Sequence, residues 1–407
     1  MVINCYEFGA ASSHLECGSV VRPRLTLQSG DILSDTIIPL AVPDMRGNEA
    51  VYLARCVEDN WVSSAGPDVE TFERRMADIA GVEHAVATVN GTSALYLALR
   101  VAGIGLGQSV LVPDFTFAAT ANAVLAAGGV PYFVDIDPET WTLDPTLVSE
   151  ILAEDASISA VVAVHVLGHP ADMDRLADVC SRHGVPLFED AAGAIGARYK
   201  GRPAGSLGDG AIFSFNGNKT VTAGGGGMLV TNNGAWADRA RLLSTQARDG
   251  AAYRYVDAGF NYRMPNINAA LGLAQLERLA EMLAAKRAIA ARYDVALDGR
   301  ADLTAMPRAG WADSGCWLYS VRCSMREEAA ALVRHMAERN IGARVFWEIL
   351  SDQPPYRDAS RKLTGVAAAL SGTVVSLPCS SQLTVAEQGR VIAALAAWRG
   401  ADSVASA

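Results

Sequence analysis

Three short stretches of this chain place polar, reactive residues directly after apolar runs of strand length. The first is Asn90-Gly-Thr-Ser93, between the run ending at Val89 and the helical pattern Ala94-Leu-Tyr-Leu-Ala-Leu99. Small residues at a strand-to-helix turn leave N–H groups and hydroxyls free for a phosphate at the positive end of a helix. The same residues also make an ordinary N-cap. The second stretch is Glu189-Asp190, after the apolar run 185–188. A buried carboxylate needs a partner or becomes protonated. No basic residue adjoins it in sequence, so the partner is either a ligand cation, such as a protonated pyridine, or the N–H groups of a turn that Asp190 caps. The third is Phe213-Ser-Phe-Asn-Gly-Asn-Lys219, followed by Thr222-Ala-Gly-Gly-Gly-Gly227. A lysine among apolar and glycine residues loses proton affinity by desolvation, as a Schiff-base nucleophile requires. An exposed loop lysine is the plain alternative.

Taken with the aromatic loop Pro113-Asp-Phe-Thr-Phe117, these stretches supply an anion cradle, a carboxylate for a ring nitrogen, a planar side chain for stacking and an amine for an aldehyde. Those are the parts that hold pyridoxal phosphate, and the combination is far more specific than any member.

The elements that must position these residues are legible in the hydrophobic pattern. Apolar runs of strand length lie at 84–89, 109–112, 131–136, 158–165, 185–188, 211–215 and 228–231, and helical periodicity covers 49–59, 69–79, 92–102, 118–127, 173–183 and 235–243. Strands alternating with helices predict βαβ crossovers and a mainly parallel sheet covered on both faces, with ligands beyond the carboxyl ends of its strands. After Pro265 the pattern predicts one long helix over 266–297. Beyond it a looser α+β pattern, extended at 317–323 and 372–377 and helical at 326–339, predicts a smaller domain. The expected organisation is a weakly patterned, poorly ordered extension over 1–30, a large cofactor-binding domain over 31–285, and a small C-terminal domain over 286–407 joined by the long helix.

Composition removes several classes of function. Half of the 407 residues are hydrophobic and 19% are charged, which excludes disorder. A net charge of −10, with no Lys/Arg cluster, argues against nucleic acid. The seven cysteines are scattered without a CxxC or CxxH spacing, so neither a disulfide framework nor a zinc site is expected, and no metal at all. No apolar stretch is long enough to cross a membrane, no leader pattern opens the chain, and a cytoplasmic location is expected.

The chain resembles the fold-type I pyridoxal-phosphate enzymes of the DegT/DnrJ/StrS family, most of which are nucleotide-sugar aminotransferases. The resemblance runs from about Ile38 to Leu395. It is carried by Trp61-Val-Ser-Ser, Asn90-Gly-Thr-Ser-Ala-Leu95, Pro113-Asp-Phe-Thr-Phe-Ala-Ala-Thr-Ala-Asn122, Val134-Asp-Ile-Asp137, Glu189-Asp-Ala-Ala192, Phe213-Ser-Phe-Asn-Gly-Asn-Lys219 and Gly259-Phe-Asn-Tyr-Arg-Met264. Phe-Asn-Gly-Asn-Lys, the four glycines Gly224 to Gly227, Gln353-Pro-Pro-Tyr356 and Leu377-Pro-Cys-Ser380 are most similar to the sugar 4-aminotransferases of the legionaminic acid and bacillosamine pathways. The resemblance implies an aminotransferase of amino-sugar and polysaccharide biosynthesis. It would carry the amino group of L-glutamate to a nucleotide-linked keto-sugar, a 4-keto-6-deoxyhexose in particular. It also implies roles for residues. Lys219 takes the cofactor aldehyde and Asp190 pairs with the pyridine nitrogen. Phe117 stacks on the ring. Gly91, Thr92, Ser93, Ser214 and Asn216 surround the cofactor with its phosphate, and Asn261 reaches across from a neighbouring subunit, so that a homodimer with shared active sites is the smallest active unit.

Two departures from the family pattern fall near the expected substrate. Gly193 stands where relatives carry His, Gln or Glu, which predicts a gap beside the cofactor. Ser351 and Asp352 stand where close relatives place a His before the Gln-Pro-Pro-Tyr block. These keep alive a rival acceptor, a non-nucleotide ketone such as a cyclitol; a catalytically silent regulatory or binding protein is a third reading. Trp317, Arg344 and Trp347 are placed at the substrate by the resemblance, although large aromatics are usually core. His165 and His169 have no further ligands at metal spacing and are expected to be structural.

Overall fold

The alternating apolar and amphipathic stretches build one eight-stranded sheet in the computed structural model, which describes residues 36–250 and 253–398. The extension expected over 1–30 lies outside the described residues. From one edge to the other the strands are His84–Thr88, Gly227–Thr231, Gly210–Ser214, Leu187–Asp190, Ile158–Val164, Ser109–Pro113, Val130–Val134 and Arg361–Lys362. All neighbours from Gly210–Ser214 to Arg361–Lys362 pair parallel. Gly227–Thr231 runs antiparallel to both strands beside it.

Strand periodicity sorts side chains to two covered faces. Val110 and Val112 join Val162, Phe188 and Ile212 under the helices Gly91–Val101, Ala119–Ala126 and Gly234–Ser244. Leu111 faces the other way, with Val161, Ala163 and Leu187, under Pro145–Glu154 and Met173–His183. Each fully buried aliphatic side chain is worth roughly 1.5–3 kcal/mol, and both faces are lined with them. That is why the strands read as continuous apolar runs. The helix Pro145–Glu154 was not expected, although its start is written in the sequence: Asp144 accepts the Thr146 N–H at 2.8 Å ahead of Pro145 in the first turn.

The single long helix expected over 266–297 is two helices, Asn266–Leu276 and Leu279–Leu297. No proline or glycine marks the break. It comes from tertiary anchoring of the joint: Glu277 accepts from Asn48 Nδ2 and the Tyr52 hydroxyl at 2.7 and 2.6 Å, and Arg278 reaches the buried Asp44 at 3.1 Å. The second helix then bridges two clusters, with Leu279, Met282 and Leu283 in one and Ile289, Ala290, Tyr293 and Leu297 in the other.

Beyond it, Thr304–Ala305, Tyr319–Arg322, Val374–Leu377 and Arg344–Phe346 form an antiparallel four-stranded sheet with the helices Arg326–Ala337 and Val385–Ala397. The C-terminal segment is not confined to this sheet, because Arg361–Lys362 returns to the edge of the large one. Residues from Ile37 onward form one compact unit. Asp135, fully buried at the end of the strand Val130–Val134, ties the large sheet to the turn before the helix Val366–Leu370. Its carboxylate accepts the backbone N–H groups of Ile136, Thr364, Gly365, Val366 and Ala367 at 2.7–3.1 Å. Among the described residues no helix is long and apolar enough to cross a membrane.

Removing the Asp135 side chain strands several buried donors, each worth about 1–3 kcal/mol. Asp135→Ala is therefore expected to destabilise the fold by at least about 3 kcal/mol in chemical denaturation. A loss below 1 kcal/mol would show that this turn is held to the large sheet by other contacts.

Candidate active site

A cavity of about 540 Å³ opens beyond the carboxyl ends of the parallel strands. Its wall takes one or more residues from the loop after nearly every one of them: Asn90 to Thr92, Thr116 to Thr120, His165 to Leu167, Asp190 to Gly193 and Ser214 to Lys219. Glycines bring the walls together. A Cβ at Gly227 would lie 2.3 Å from the Asn90 carbonyl oxygen and 2.6 Å from the Gly91 nitrogen, so the turn at Asn90 could not approach any other residue there.

Asn90 caps the helix Gly91–Val101, its side-chain oxygen accepting the Ser93 N–H at 2.8 Å. The turn is an N-cap, and the first-turn N–H groups ahead of Ser93 lie at the positive end of the helix. Gly91, Thr92, Ser214 and Asn216 line the cavity; Ser93 is buried and does not. Asn261 is exposed, pairs with Thr245 by an isolated bridge, and lies outside this chain's own cavity.

The strand Leu187–Asp190 runs two residues further than the sequence pattern indicated, and its alternation separates two acids. Glu189 points away from the cavity, where its carboxylate accepts N–H groups from Gly205, Leu207 and Gly208 at 2.7–2.9 Å and the His165 Nε2–H at 2.8 Å. The His165 Nδ1 accepts the Ala171 N–H, which leaves Nε2 as the donor. Asp190 faces the cavity. The Thr120 hydroxyl donates to its Oδ2 at 2.8 Å and the Ala192 N–H to its Oδ1 at 3.2 Å. Thr120 lies in the block Pro113–Asn122 that carries the family resemblance, but nothing in the spacing alone ties it to Asp190. It is the polar contact that sequence reading missed.

Among four lysines in the chain, Lys219 is the one whose side-chain nitrogen has no hydrogen-bonded partner among the described residues. Lys200 pairs with Asp174 and Lys362 with Glu150, both at 2.8 Å. Lys286 is held by the Trp317 and Cys379 carbonyls. Burial pushes the Lys219 ammonium down to about 7, against the Asp190 carboxylate, which pulls it up. An amine so placed is neutral in a large fraction near pH 7 and is a competent nucleophile and base.

Two expectations are corrected. Gly193 leaves no gap: a Cβ there would sit 2.6 Å from Trp317 Cε3, because the indole fills the space. Ser351 does not face substrate. It is fully buried, and its N–H and hydroxyl donate to Asp114 at 2.7 and 2.8 Å, fixing the loop that bears Thr116 and Phe117. Phe117 is 62% exposed at the cavity wall, whereas Phe115 is buried edge-on to Trp141 and Trp347. Trp317, Arg344 and Trp347 all line the cavity. His169 is structural: its Nδ1–H donates to the Pro170 carbonyl, its Nε2 accepts the Ala309 N–H, and burial pushes it down to about 4. No cluster of metal-ligating side chains occurs among the described residues.

A helix start, a buried carboxylate and a desolvated amine around one cavity fit pyridoxal phosphate. The sequence pattern of the DegT/DnrJ/EryC1/StrS aminotransferase family matches residues 43–396, and the chain belongs to that family. It is 40% identical over 88% of its length, and 95% of the relative's, to EpsN of Bacillus subtilis, a protein assigned as a pyridoxal phosphate-dependent aminotransferase. It is 39% identical to the GDP-perosamine synthase of Caulobacter vibrioides, over 88% of this chain and 97% of that one. The solved structure of DesI in the presence of its TDP-sugar product superposes with a TM-score of 0.82 at 32% identity, over 90% of this chain and 94% of that one. The protein is thus an aminotransferase of fold type I with pyridoxal phosphate as its cofactor. The narrower resemblance to legionaminic acid and bacillosamine enzymes is not carried by these relatives.

The Thr120 contact yields a test. A hydrogen bond to a charged group contributes roughly 1.5–3 kcal/mol, so Thr120→Val is expected to slow the reaction with the amino donor about tenfold or more, while Thr120→Ser stays near the parent rate. Stopped-flow absorbance of the bound cofactor measures both, and an undiminished rate in Thr120→Val would detach this residue from the function of Asp190.

Proposed function

We propose that the protein transfers the amino group of L-glutamate to a nucleotide-linked keto-sugar, with a 4-keto-6-deoxyhexose as the acceptor class, in the cytoplasm. The observation that carries this reading is the pairing, in one cavity, of a lysine whose side-chain nitrogen has no hydrogen-bonded partner among the described residues with a buried carboxylate. Bound there, pyridoxal phosphate supplies the electron sink that makes an α-proton of the donor acidic. The protein does the rest. Thr92 and Ser214, with the first-turn N–H groups of the helix Gly91–Val101, hold the phosphate. Phe117 covers one face of the ring. Asp190, oriented by Thr120 and Ala192, would favour a proton on the ring nitrogen. Lys219 would hold the aldehyde, and its ε-nitrogen, when free, would take up the α-proton and hand it on.

The acceptor class is supported by the relatives, whose names specify GDP-perosamine and a TDP-sugar. It is also supported by the rim of the cavity, where Arg344 is exposed and makes no ion pair among the described residues, next to Trp347. A free guanidinium and an aromatic face suit a diphosphate and its base. The cyclitol alternative rested on a gap at Gly193, which Trp317 fills. A homodimer is supported by Val51, Val57, Trp61 and Val62, each 44–67% exposed on or just after the helix Glu49–Glu58. In it, Asn261 of the partner subunit would complete the phosphate site.

L-Glutamate is expected to bleach the visible band of the purified protein, and a nucleotide-linked 4-keto-sugar to restore it. Recovery with a free cyclitol ketone but with no nucleotide sugar would overturn the acceptor assignment. Lys219→Ala is expected to abolish turnover with the fold intact. If Asn261 acts across the interface, mixing folded Lys219→Ala and Asn261→Ala chains should regenerate activity in heterodimers; heterodimers without recovery would place Asn261 outside the partner's site.

A further inference from the structure

Trp317 is placed with more constraint than a core aromatic requires. Its indole face carries the Lys219 Nζ at 3.4 Å from the ring centroid. Its Nε1–H donates to the carbonyl of Asn218, the residue before that lysine, at 2.9 Å, so ring and lysine are locked in one frame. From behind, the buried Lys286 ammonium donates to the Trp317 carbonyl at 3.1 Å and to the Cys379 carbonyl at 2.7 Å. The indole also occupies the volume that any side chain at residue 193 would need. A tryptophan that served only as filler would need neither an amine on its face nor a glycine against its ring.

We propose that Trp317 is the positioning residue of Lys219: its indole face holds the lysine's ammonium whenever that nitrogen is not bonded to the cofactor, and residue 193 is glycine so that the indole can lie there. The proposal rests on the reading of Lys219 as the cofactor lysine. During a transamination half-reaction the released lysine must stay within reach of the reacting carbon while it carries a proton. A hydrogen-bonded carboxylate would hold that proton too tightly. An aromatic face attracts the cation without accepting its proton, and so keeps the nitrogen in place in both protonation states. The other titratable groups lining the cavity are Asp190, across from the amine, Arg344 at the rim, and His165, whose two nitrogens are taken by Ala171 and Glu189. Loss of the indole leaves Asp190 as the one anion favouring the ammonium, while burial continues to oppose it.

Four lysines make the test direct. The full-length protein, labelled with [ε-13C]lysine and converted to its pyridoxamine phosphate form so that the Lys219 amine is free, is titrated by NMR. Lys219→Ala assigns the resonance. The midpoint of Lys219 is expected to fall by about one pH unit in Trp317→Leu, a tenfold loss of proton affinity, and by less than half of that in Trp317→Phe, which keeps an aromatic face. Gly193→Ala, which displaces the indole, is expected to lower the midpoint as well, yet to add nothing in the Trp317→Leu background. The resonances of Lys200 and Lys362 report an intact fold in each variant. An unchanged Lys219 midpoint in Trp317→Leu, or an equal fall in the Leu and Phe variants, would overturn the positioning role. A phosphopyridoxyl label found on another lysine after borohydride reduction would instead overturn the assignment of the cofactor lysine.

Discussion

A desolvated amine whose nitrogen has no hydrogen-bond acceptor among the described residues is the costly feature around which this protein is arranged. Burial of a charged lysine is opposed by desolvation, and Lys219 meets that cost by giving up proton affinity rather than by forming a salt bridge. Every neighbour is consistent with this. The nearest carboxylate, Asp190, is held by Thr120 and Ala192 and raises the affinity only through space. The second acid of the same strand is turned to the opposite face and saturated by three backbone N–H groups and a histidine. The cavity thus presents one acid and one amine.

The large sheet makes that arrangement possible. Parallel strands end on the same side, so the loops after five of them converge on one cavity although their residues span Asn90 to Lys219 in sequence. The antiparallel strand Gly227–Thr231 brings its glycine-rich entry to the same end, where Gly227 admits the turn at Asn90. The C-terminal residues close the cavity from the other side: Asp135 binds the turn before Val366–Leu370, and Ser351 pins Asp114 at the base of the loop carrying Phe117. Arg344 and Trp347, which line the cavity, are thereby fixed relative to the residues of the opposite wall.

The chemistry-bearing residues were legible because local rules govern them. Strand-length apolar runs followed by small, acidic or basic residues mark carboxyl ends whatever the tertiary structure, and Gly91, Thr92, Asp190, Ser214 and Lys219 all come to the cavity. What could not be read depends on packing between distant segments. The break between Leu276 and Leu279 is set by Asp44, Asn48 and Tyr52, more than 200 residues away. Gly193 was legible as a departure, but its meaning was not, since nothing in the sequence brings Trp317 against it. Ser93 illustrates the opposite failure: its neighbours in the motif reach the cavity, and helical geometry turns it inward.

The central claim, that Lys219 is the amine this fold exists to hold, is tested most directly by locating the cofactor chemically. Borohydride reduction of the holoprotein fixes pyridoxal phosphate to the nitrogen that carries it, and digestion with mass spectrometry identifies the residue among four candidates. The account predicts phosphopyridoxyl-lysine at Lys219 in stoichiometric yield; the same label at the buried Lys286, or at the surface residues Lys200 or Lys362, would contradict it.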